Sequence, residues 1–228
     1  MKNPSELTIP LPASGTTTAI VYRGGGAALV LGHGAGAGQR SPFMMDFARA
    51  LAARGVDAVT FNFPYTEQRR RIPDRGPVLE ACYRAVVAAV REHVDSAREH
   101  LFIGGKSMGG RIATQIAAAD PDLAVAGLVL LGYPLHPPGR PQVRRDAHLP
   151  AIRRPVLVVQ GARDTFGTPP EFEPVLRAMK PPPVLHVVPE GDHSFKTPRR
   201  DPRAQAAVYD DVQRVVVEWM REIIDRRA

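Results

Sequence analysis

The chain has 228 residues, long enough to bury a sizeable core, and we predict a single domain over residues 1–228. Its formal net charge is +7, but the arginines are scattered and only 6% of residues are aromatic, so nucleic acid is not an expected partner. Cys82 is the only cysteine, which excludes an internal disulfide. The N-terminus has no apolar signal region and no apolar run approaches about 18 residues, so we expect a cytoplasmic protein without a membrane partner.

Short apolar or β-branched runs alternate along the chain with longer runs of helical spacing. Strands are predicted at residues 16–22, 27–31, 56–63, from Leu101 to the glycines that follow it, 125–131, 155–160 and 184–188, with a turn at 24–26. Helices are predicted at residues 42–54, 78–98, through Ile112 and Ile116, at 169–180 and at 204–226. The alternation predicts an α/β fold with a mostly parallel central sheet and helices on both faces.

One long segment breaks this alternation. Residues 133–154 are rich in proline and arginine, as is common for functional insertions.

The most informative stretch surrounds Ser107. Gly105-Lys106-Ser107-Met108-Gly109 follows an apolar run and leads into a helical pattern, which fits a tight strand-to-helix turn that exposes a serine hydroxyl. Glycines are needed at such a turn because neighbouring chain passes too close for a Cβ. The sequence therefore predicts Ser107 as a nucleophile.

A serine hydroxyl is a weak nucleophile until a base takes its proton and a third group orients the base. Asp164 follows the strand predicted at 155–160, and His193 follows the strand predicted at 184–188. Carboxyl ends of parallel strands meet at one edge of a sheet, so the order Ser107, Asp164, His193 predicts a catalytic triad. Asp192 is rejected as the acid, because adjacent residues point their side chains in different directions.

A tetrahedral intermediate also needs fixed N–H donors for its oxyanion. One donor is expected from Met108, directly after the nucleophile. The second is expected from the glycine-rich loop after residues 27–31, with Ala35 preferred and Gly36 next. Gly34 and Gly36 are also predicted to contact the substrate, whereas His33 is interpreted as a structural histidine.

Two other motifs are rejected. Gly32 to Ala37 fits a dinucleotide-binding glycine pattern, but no acidic residue ends the following strand. Gly105-Lys106-Ser107 resembles the end of a phosphate-binding loop, but His100 stands where its first glycine is required. His136, His148 and His186 have no ligand-like spacing with other candidates, so no metal is expected, and no cofactor is expected either.

These motifs resemble those of α/β-hydrolases. The resemblance is closest to small predicted hydrolases related to KANL-type and testis-expressed proteins, and more distant to dienelactone hydrolases. It rests on the loop at 33–36, the elbow at 104–111, Tyr-Pro-Leu-His-Pro-Pro at 133–138, Gly-Ala-Arg-Asp at 161–164 and Gly-Asp-His-Ser-Phe at 191–195. It implies a Ser-Asp-His hydrolase fold with Ser107, Asp164 and His193 as the triad, but no particular substrate. The chain departs from larger relatives in one respect: residues 133–154 are too short for a full helical cap, so no full cap domain is expected.

Two functions follow from the residues and the resemblance. The first is a serine hydrolase that cleaves a small-molecule ester or thioester through an acyl-enzyme on Ser107. The second is an interaction module that keeps the fold and uses residues 133–154 as a partner surface. The complete set of catalytic parts favours the first. The sequence leaves monomer and homodimer open. Lys106 and Arg111 could contact an anionic substrate, but an ion pair is the favoured use of both.

Overall fold

The computed structural model describes residues 3–12, 15–198 and 201–227, which form one seven-stranded sheet flanked by helices. The strands are β1 (Ser5–Pro10), β2 (Thr16–Gly32), β3 (Val56–Phe61), β4 (Leu101–Lys106), β5 (Gly127–Leu131), β6 (Val156–Gly161) and β7 (Val184–Val188). The helices are α1 (Pro42–Ala53), α2 (Pro64–Glu67), α3 (Gly76–His93), α4 (Ser96–Glu99), α5 (Met108–Ala119), α6 (Pro169–Ala178) and α7 (Pro202–Asp225).

The sheet runs in the order β1, β2, β4, β5, β6, β7, and β3 pairs with β2. Only β1 pairs antiparallel along its whole length, and β4 to β7 are parallel to one another. The carboxyl ends of β4, β6 and β7 therefore lie at the same edge. This edge carries the segments that follow each strand, including Ser107, Asp164 and His193.

Strand β2 reverses direction at the turn predicted for residues 24–26. Ala19 lies opposite Phe61 and Tyr22 opposite Ala58, so the first half runs against β3. After the bend the register with β3 ascends, with Gly32 opposite Phe61, so the second half runs with it. Gly25 and Gly26 have φ of +90° and +69°, a conformation that glycine adopts without a steric penalty. The two predicted strands thus run in opposite directions within β2, and β3 pairs with both of them.

Each face of the sheet buries its own apolar cluster. One cluster contains side chains of α3, α5 and α6, and the other contains side chains of α1 and α7. Cys82 lies in the first cluster, where burial raises the pKa of its thiol to about 12. The expected α/β class, with a mostly parallel sheet covered on both faces, is confirmed.

Three elements differ from the sequence prediction. The predicted helix at 78–98 is two helices, α3 and α4, because Val94 adopts an extended conformation and is fully buried. Strand β1 and the single-turn helix α2 were not predicted. A six-residue edge strand with mostly exposed side chains and a four-residue helix are too short to give a periodic pattern.

Residues 133–154 form no cap over the sheet. Their regular structure is one short 3-10 turn at Leu149–Ala151. Leu135, Leu149 and Ile152 are buried in the core, so the segment packs down onto the domain. Within the described residues, no helix has both the length and the apolar character needed to cross a membrane.

Candidate active site

Ser107 occupies the single-residue turn between β4 and α5, with φ +52° and ψ −115°. Residues other than glycine seldom adopt positive φ, and strain of this kind concentrates at functional sites. A Cβ on Gly105 or on Gly109 would lie 2.2 or 2.1 Å from the carbonyl oxygen of Gly32. The chain that passes too close for a Cβ is therefore the end of β2.

The turn brings the Ser107 hydroxyl to the His193 ring. Ser107 Oγ lies 2.8 Å from His193 Nε2, and His193 Nδ1 lies 2.8 Å from Asp164 Oδ2. A carboxylate can only accept, so Nδ1 carries the proton and Nε2 is free to accept one from the serine. One line of hydrogen bonds thus connects the three residues that the sequence predicted as a triad.

Asp164 is fully buried, and donors surround both of its oxygens. Oδ1 accepts the Phe166 N–H at 2.8 Å, and Oδ2 accepts from Gln160 Nε2 at 2.7 Å as well as from His193. Gln160 cannot rotate its amide freely, because its Oε1 accepts the Tyr133 N–H at 2.9 Å. The carboxylate is therefore held in one orientation toward the imidazole.

In the described structure, the Asp192 carboxylate bonds to backbone N–H groups of its own loop and not to the His193 ring. Its Oδ1 accepts the N–H groups of Ser194 at 2.7 Å and of Lys196 at 2.9 Å, which closes the turn that follows β7. It makes no hydrogen bond to the His193 ring among the described residues. This geometry agrees with the expectation that Asp164 faces the imidazole and Asp192 does not.

The His193 ring is enclosed on one side by Phe166, whose ring stacks on it with centroids 4.1 Å apart. Burial lowers the pKa of His193, the hydrogen bond that its Nδ1–H donates to Asp164 opposes this, and the Lys106 charge lowers the pKa further. A lowered pKa keeps the imidazole neutral near pH 7, as a general base requires. The electrostatics of the site therefore favour a proton-accepting histidine.

Lys106 is buried beside this histidine. Its ammonium donates to the His193 backbone carbonyl at 2.5 Å and lies 5.8 Å from the centroid of the Phe195 ring. Burial lowers the pKa of Lys106 to about 8, although Asp164 and Asp192 favour its charged form. The residue before Ser107 thus ties β4 to the loop that carries His193, and it forms no ion pair among the described residues.

The glycine-rich loop after β2 faces the same turn. A Cβ on Gly34 would lie 3.6 Å from Ser107 Cβ, so the loop backbone passes beside the serine. The Gly34 carbonyl accepts from His33 Nδ1 at 2.8 Å, and the Ala35 carbonyl accepts from the Tyr65 hydroxyl at 2.9 Å. Because C=O and N–H of one trans peptide point in opposite directions, these bonds also orient the Ala35 and Gly36 N–H groups.

His33 is fully buried, and both ring nitrogens are engaged. Nε2 accepts the Phe63 N–H at 3.1 Å, which leaves the proton on Nδ1 for the Gly34 carbonyl. Burial lowers the pKa of His33, so the ring stays neutral. The geometry fits the structural histidine that the sequence analysis expected.

A cleft of about 910 Å³ opens over the turn. Ser107, Met108 and His193 line it together with Gly34, Ala35 and Gly36, so the predicted nucleophile, base and loop residues share one space. As the first residue of α5, Met108 has no intrahelical acceptor for its N–H. The cleft can therefore admit a substrate whose reacting carbonyl touches both Ser107 and the loop.

Several residues around the site carry no recognisable motif and were missed by the sequence analysis. These residues orient the predicted catalytic and loop residues. They are Tyr65, Gln160 and Phe166. Only Gln160 left a signal, as a polar residue in an otherwise apolar buried strand. No group of three or more His, Cys, Asp or Glu in the described part of the chain could hold a metal ion.

A family model described as an alpha/beta hydrolase domain matches residues 25–221. The fold is similar to that of a serine hydrolase without a lid from Xanthomonas campestris, at TM-score 0.71 and 21% identity over 96% of both chains. A dienelactone hydrolase from Anabaena variabilis is similar at TM-score 0.70 and 20% identity over 93% of this chain and 97% of that chain. An esterase from Pyrococcus furiosus is similar at TM-score 0.77 and 14% identity, over 96% and 91%. Because the family model spans most of the chain, this protein belongs to the α/β-hydrolase family.

Proposed function

We propose that this protein is a serine hydrolase that cleaves a carboxylic ester or thioester through an acyl-enzyme on Ser107. The observation that carries the proposal is the line of hydrogen bonds from Asp164 through His193 to a strained Ser107, open to a cleft. A strained turn costs about 1–3 kcal/mol, and such strain is kept where it serves the site. In this role Ser107 is the nucleophile, His193 the base and Asp164 the orienting acid.

In the first step, Ser107 Oγ attacks the carbonyl carbon while its proton passes to His193 Nε2. The carbonyl π bond becomes an oxyanion, which the N–H groups of Met108 and Ala35 stabilise. Gly34 and Gly36 keep the loop narrow enough for the substrate to approach these donors. Removal of such a donor from a serine hydrolase costs about 10²–10³ in turnover, so the loop carries a large share of catalysis.

The intermediate then collapses. The bond to the alcohol or thiol breaks as His193 returns its proton to that leaving group, and the acyl group stays on Ser107 Oγ. A water molecule, deprotonated by His193, attacks the acyl carbon, and the proton passes back to Ser107 as the acid leaves. Asp164 stabilises the imidazolium in both halves of the reaction.

Covalent labelling tests this proposal. A fluorophosphonate probe should label the wild-type protein and fail to label Ser107→Ala, which removes only Oγ and should melt near the wild-type temperature. Ser194→Ala is the matched control and should keep its label, because the Ser194 hydroxyl makes no hydrogen bond to His193 in the described structure. An unlabelled wild-type protein would instead favour the interaction module with residues 133–154 as its surface.

The motifs support two narrower assignments. The elbow at 104–111 and the segment at 133–138 support membership of the group related to KANL-type and testis-expressed proteins. The absence of a cap over the cleft supports small, activated esters as substrates.

A further inference from the structure

Two arginines line the active-site cleft at a short distance from Ser107. Arg111 lies on α5 four residues after Ser107, and its backbone N–H donates to the Ser107 carbonyl at 3.0 Å. Residues four apart on a helix are neighbours on one face, and helical side chains lean toward the N-terminus. The Arg111 guanidinium therefore belongs to the same side of the cleft as the nucleophile.

Arg145 reaches the same cleft from the segment at 133–154. Its backbone is held at both ends, because its N–H donates to the Leu135 carbonyl at 2.9 Å and its carbonyl accepts from the Tyr133 hydroxyl at 2.6 Å. Burial lowers the pKa of the Arg111 guanidinium, and the charge of Arg145 lowers it further, whereas Tyr133 and Glu80 act in the opposite direction. The cleft thus carries two positive charges on separate elements.

Among the residues that the structure describes, neither arginine has a carboxylate within ion-pair distance, although the Glu80 charge acts on Arg111 from further away. Within the described residues, Arg111 and Arg145 form no ion pair, and Arg111 Nε is buried without a hydrogen-bond acceptor. In the described part of the chain, the one hydrogen bond of the Arg111 side chain is a long contact of 3.5 Å with Gln115 Oε1. The sequence analysis favoured an ion pair for Arg111, and the structure contradicts that expectation.

The carboxylates that line the same cleft do not compensate these charges, because each has its own arginine. Asp46 lies 3.6 Å from Arg49, and Asp74 lies 2.5 Å from Arg70. Desolvating a cation beside another cation is costly unless an anion joins them. A paired set of guanidinium groups is also the arrangement that proteins use to hold carboxylate and phosphate.

We propose that the cleft selects substrates that carry an anionic oxygen group, a carboxylate or a phosphate, bound by Arg111 and Arg145. The proposal rests on the hydrolase function proposed above and specifies its substrate class. The anion would lie about one helical turn from Ser107, so it belongs to the part of the substrate next to the reacting carbonyl. Both arginines act here as specificity residues, and neither takes part in the bond changes.

Two esters of equal carbon number in the acyl part separate the effect of charge from that of size. Mono-4-nitrophenyl glutarate ends in a carboxylate, whereas 4-nitrophenyl pentanoate ends in a methyl group. After correction for their rates with hydroxide, the wild-type protein should prefer the glutarate ester by roughly tenfold or more in kcat/KM. Equal values, or a preference for pentanoate, would overturn the proposal.

Variants then assign the preference. Arg111→Gln and Arg145→Gln should each lower kcat/KM for the glutarate ester by roughly 10- to 100-fold, mainly through KM, and change the pentanoate value much less. Arg177→Gln is the control, because it removes the same unit of charge from an exposed residue on α6 outside the cleft. A parallel loss on both esters would show a structural role for Arg111 and would refute anion binding.

Binding measured without turnover keeps the two proposals distinguishable. If the wild-type protein cleaves neither ester, the hydrolase proposal fails, and calorimetry with glutarate and with inorganic phosphate tests the anion site alone. Either anion should bind the wild-type protein at millimolar concentration or below and bind Arg111→Gln at least tenfold more weakly. The tighter anion identifies the group, whereas equal binding to both proteins, or no binding, would overturn the site.

Discussion

Replacing Asp164 by asparagine should lower both kcat and the free energy of unfolding, because hydrogen-bond donors surround the carboxylate. Oδ1 faces the Phe166 N–H, and Oδ2 faces Gln160 Nε2 and the His193 ring. An asparagine must place its NH₂ group in one of these two positions. In either orientation a donor meets a donor, and Gln160 cannot rotate away without losing its bond to the Tyr133 N–H.

The orientation with NH₂ toward His193 is the more damaging for catalysis. It makes Nδ1 an acceptor, moves the ring proton to Nε2 and leaves no lone pair for the Ser107 proton. An amide at this position costs about 10⁴ in turnover in the trypsin-like serine proteases, and we expect a loss of kcat of that order here. The unsatisfied donor pair should also lower the free energy of unfolding by about 1–3 kcal/mol.

The assay compares Asp164→Asn with Asp192→Asn on one activated ester, together with urea unfolding of both. Asp192 holds a turn through Oδ1 alone, so its amide variant can keep that oxygen in place and should lose less than about tenfold in kcat. A large loss of kcat in Asp192→Asn, with kcat retained in Asp164→Asn, would refute the assignment of Asp164 as the acid. A folded Asp164→Asn with nearly full activity would refute the role of the hydrogen-bond line itself.

Two further predictions concern the strand that leads to Ser107. Lys106→Met should move the acid limb of kcat/KM to higher pH, because the Lys106 charge lowers the pKa of His193 and its removal lets the base protonate sooner; Lys106→Arg should keep the limb nearer its wild-type position. An unshifted limb in Lys106→Met would rule out this electrostatic role. Gly104→Ala should lower the free energy of unfolding in urea by about 3 kcal/mol or more, because its Cβ would lie 1.8 Å from the Val129 carbonyl oxygen, whereas Gly36→Ala meets nothing within 4 Å and should unfold near the wild-type urea concentration. Equal midpoints for these two variants would contradict the close strand contact.

The fold was predictable where local pattern and tertiary structure agree. The buried parallel strands are continuous apolar runs, and α1 begins at Pro42, where the helix at 42–54 was predicted to begin. The pattern failed at Val94, where no proline or glycine marks the break between α3 and α4. Packing of Val94 and Ala97 into the core ended the helix there, and single-sequence periodicity does not contain that information.

The candidate site divides in the same way. Ser107, Asp164 and His193 follow strand ends, so parallel topology alone brought them to one edge. Phe166 stacks on His193 because the segment after β6 folds back toward the ring. The sequence around Phe166 contains no motif that predicts this contact. The sequence equally concealed that Arg111 and Arg145 form no ion pair among the described residues, because pairing is a property of the assembled cleft.

The strain at Ser107 gives a physical reason why such hidden residues matter. A turn with φ +52° persists only if contacts at both of its ends stabilise the conformation by more than the strain energy. At the strand end, the buried Tyr83 hydroxyl accepts the Gly104 N–H at 2.9 Å and lies 3.0 Å from the Val30 carbonyl, which fastens β4 to β2. At the helix end, Gly109 packs on Gly32 with no room for a Cβ. Tyr83 comes from α3, far from the elbow in sequence, so the stability of the nucleophile turn depends on the whole sheet and its helices and not on the five-residue motif that reveals it.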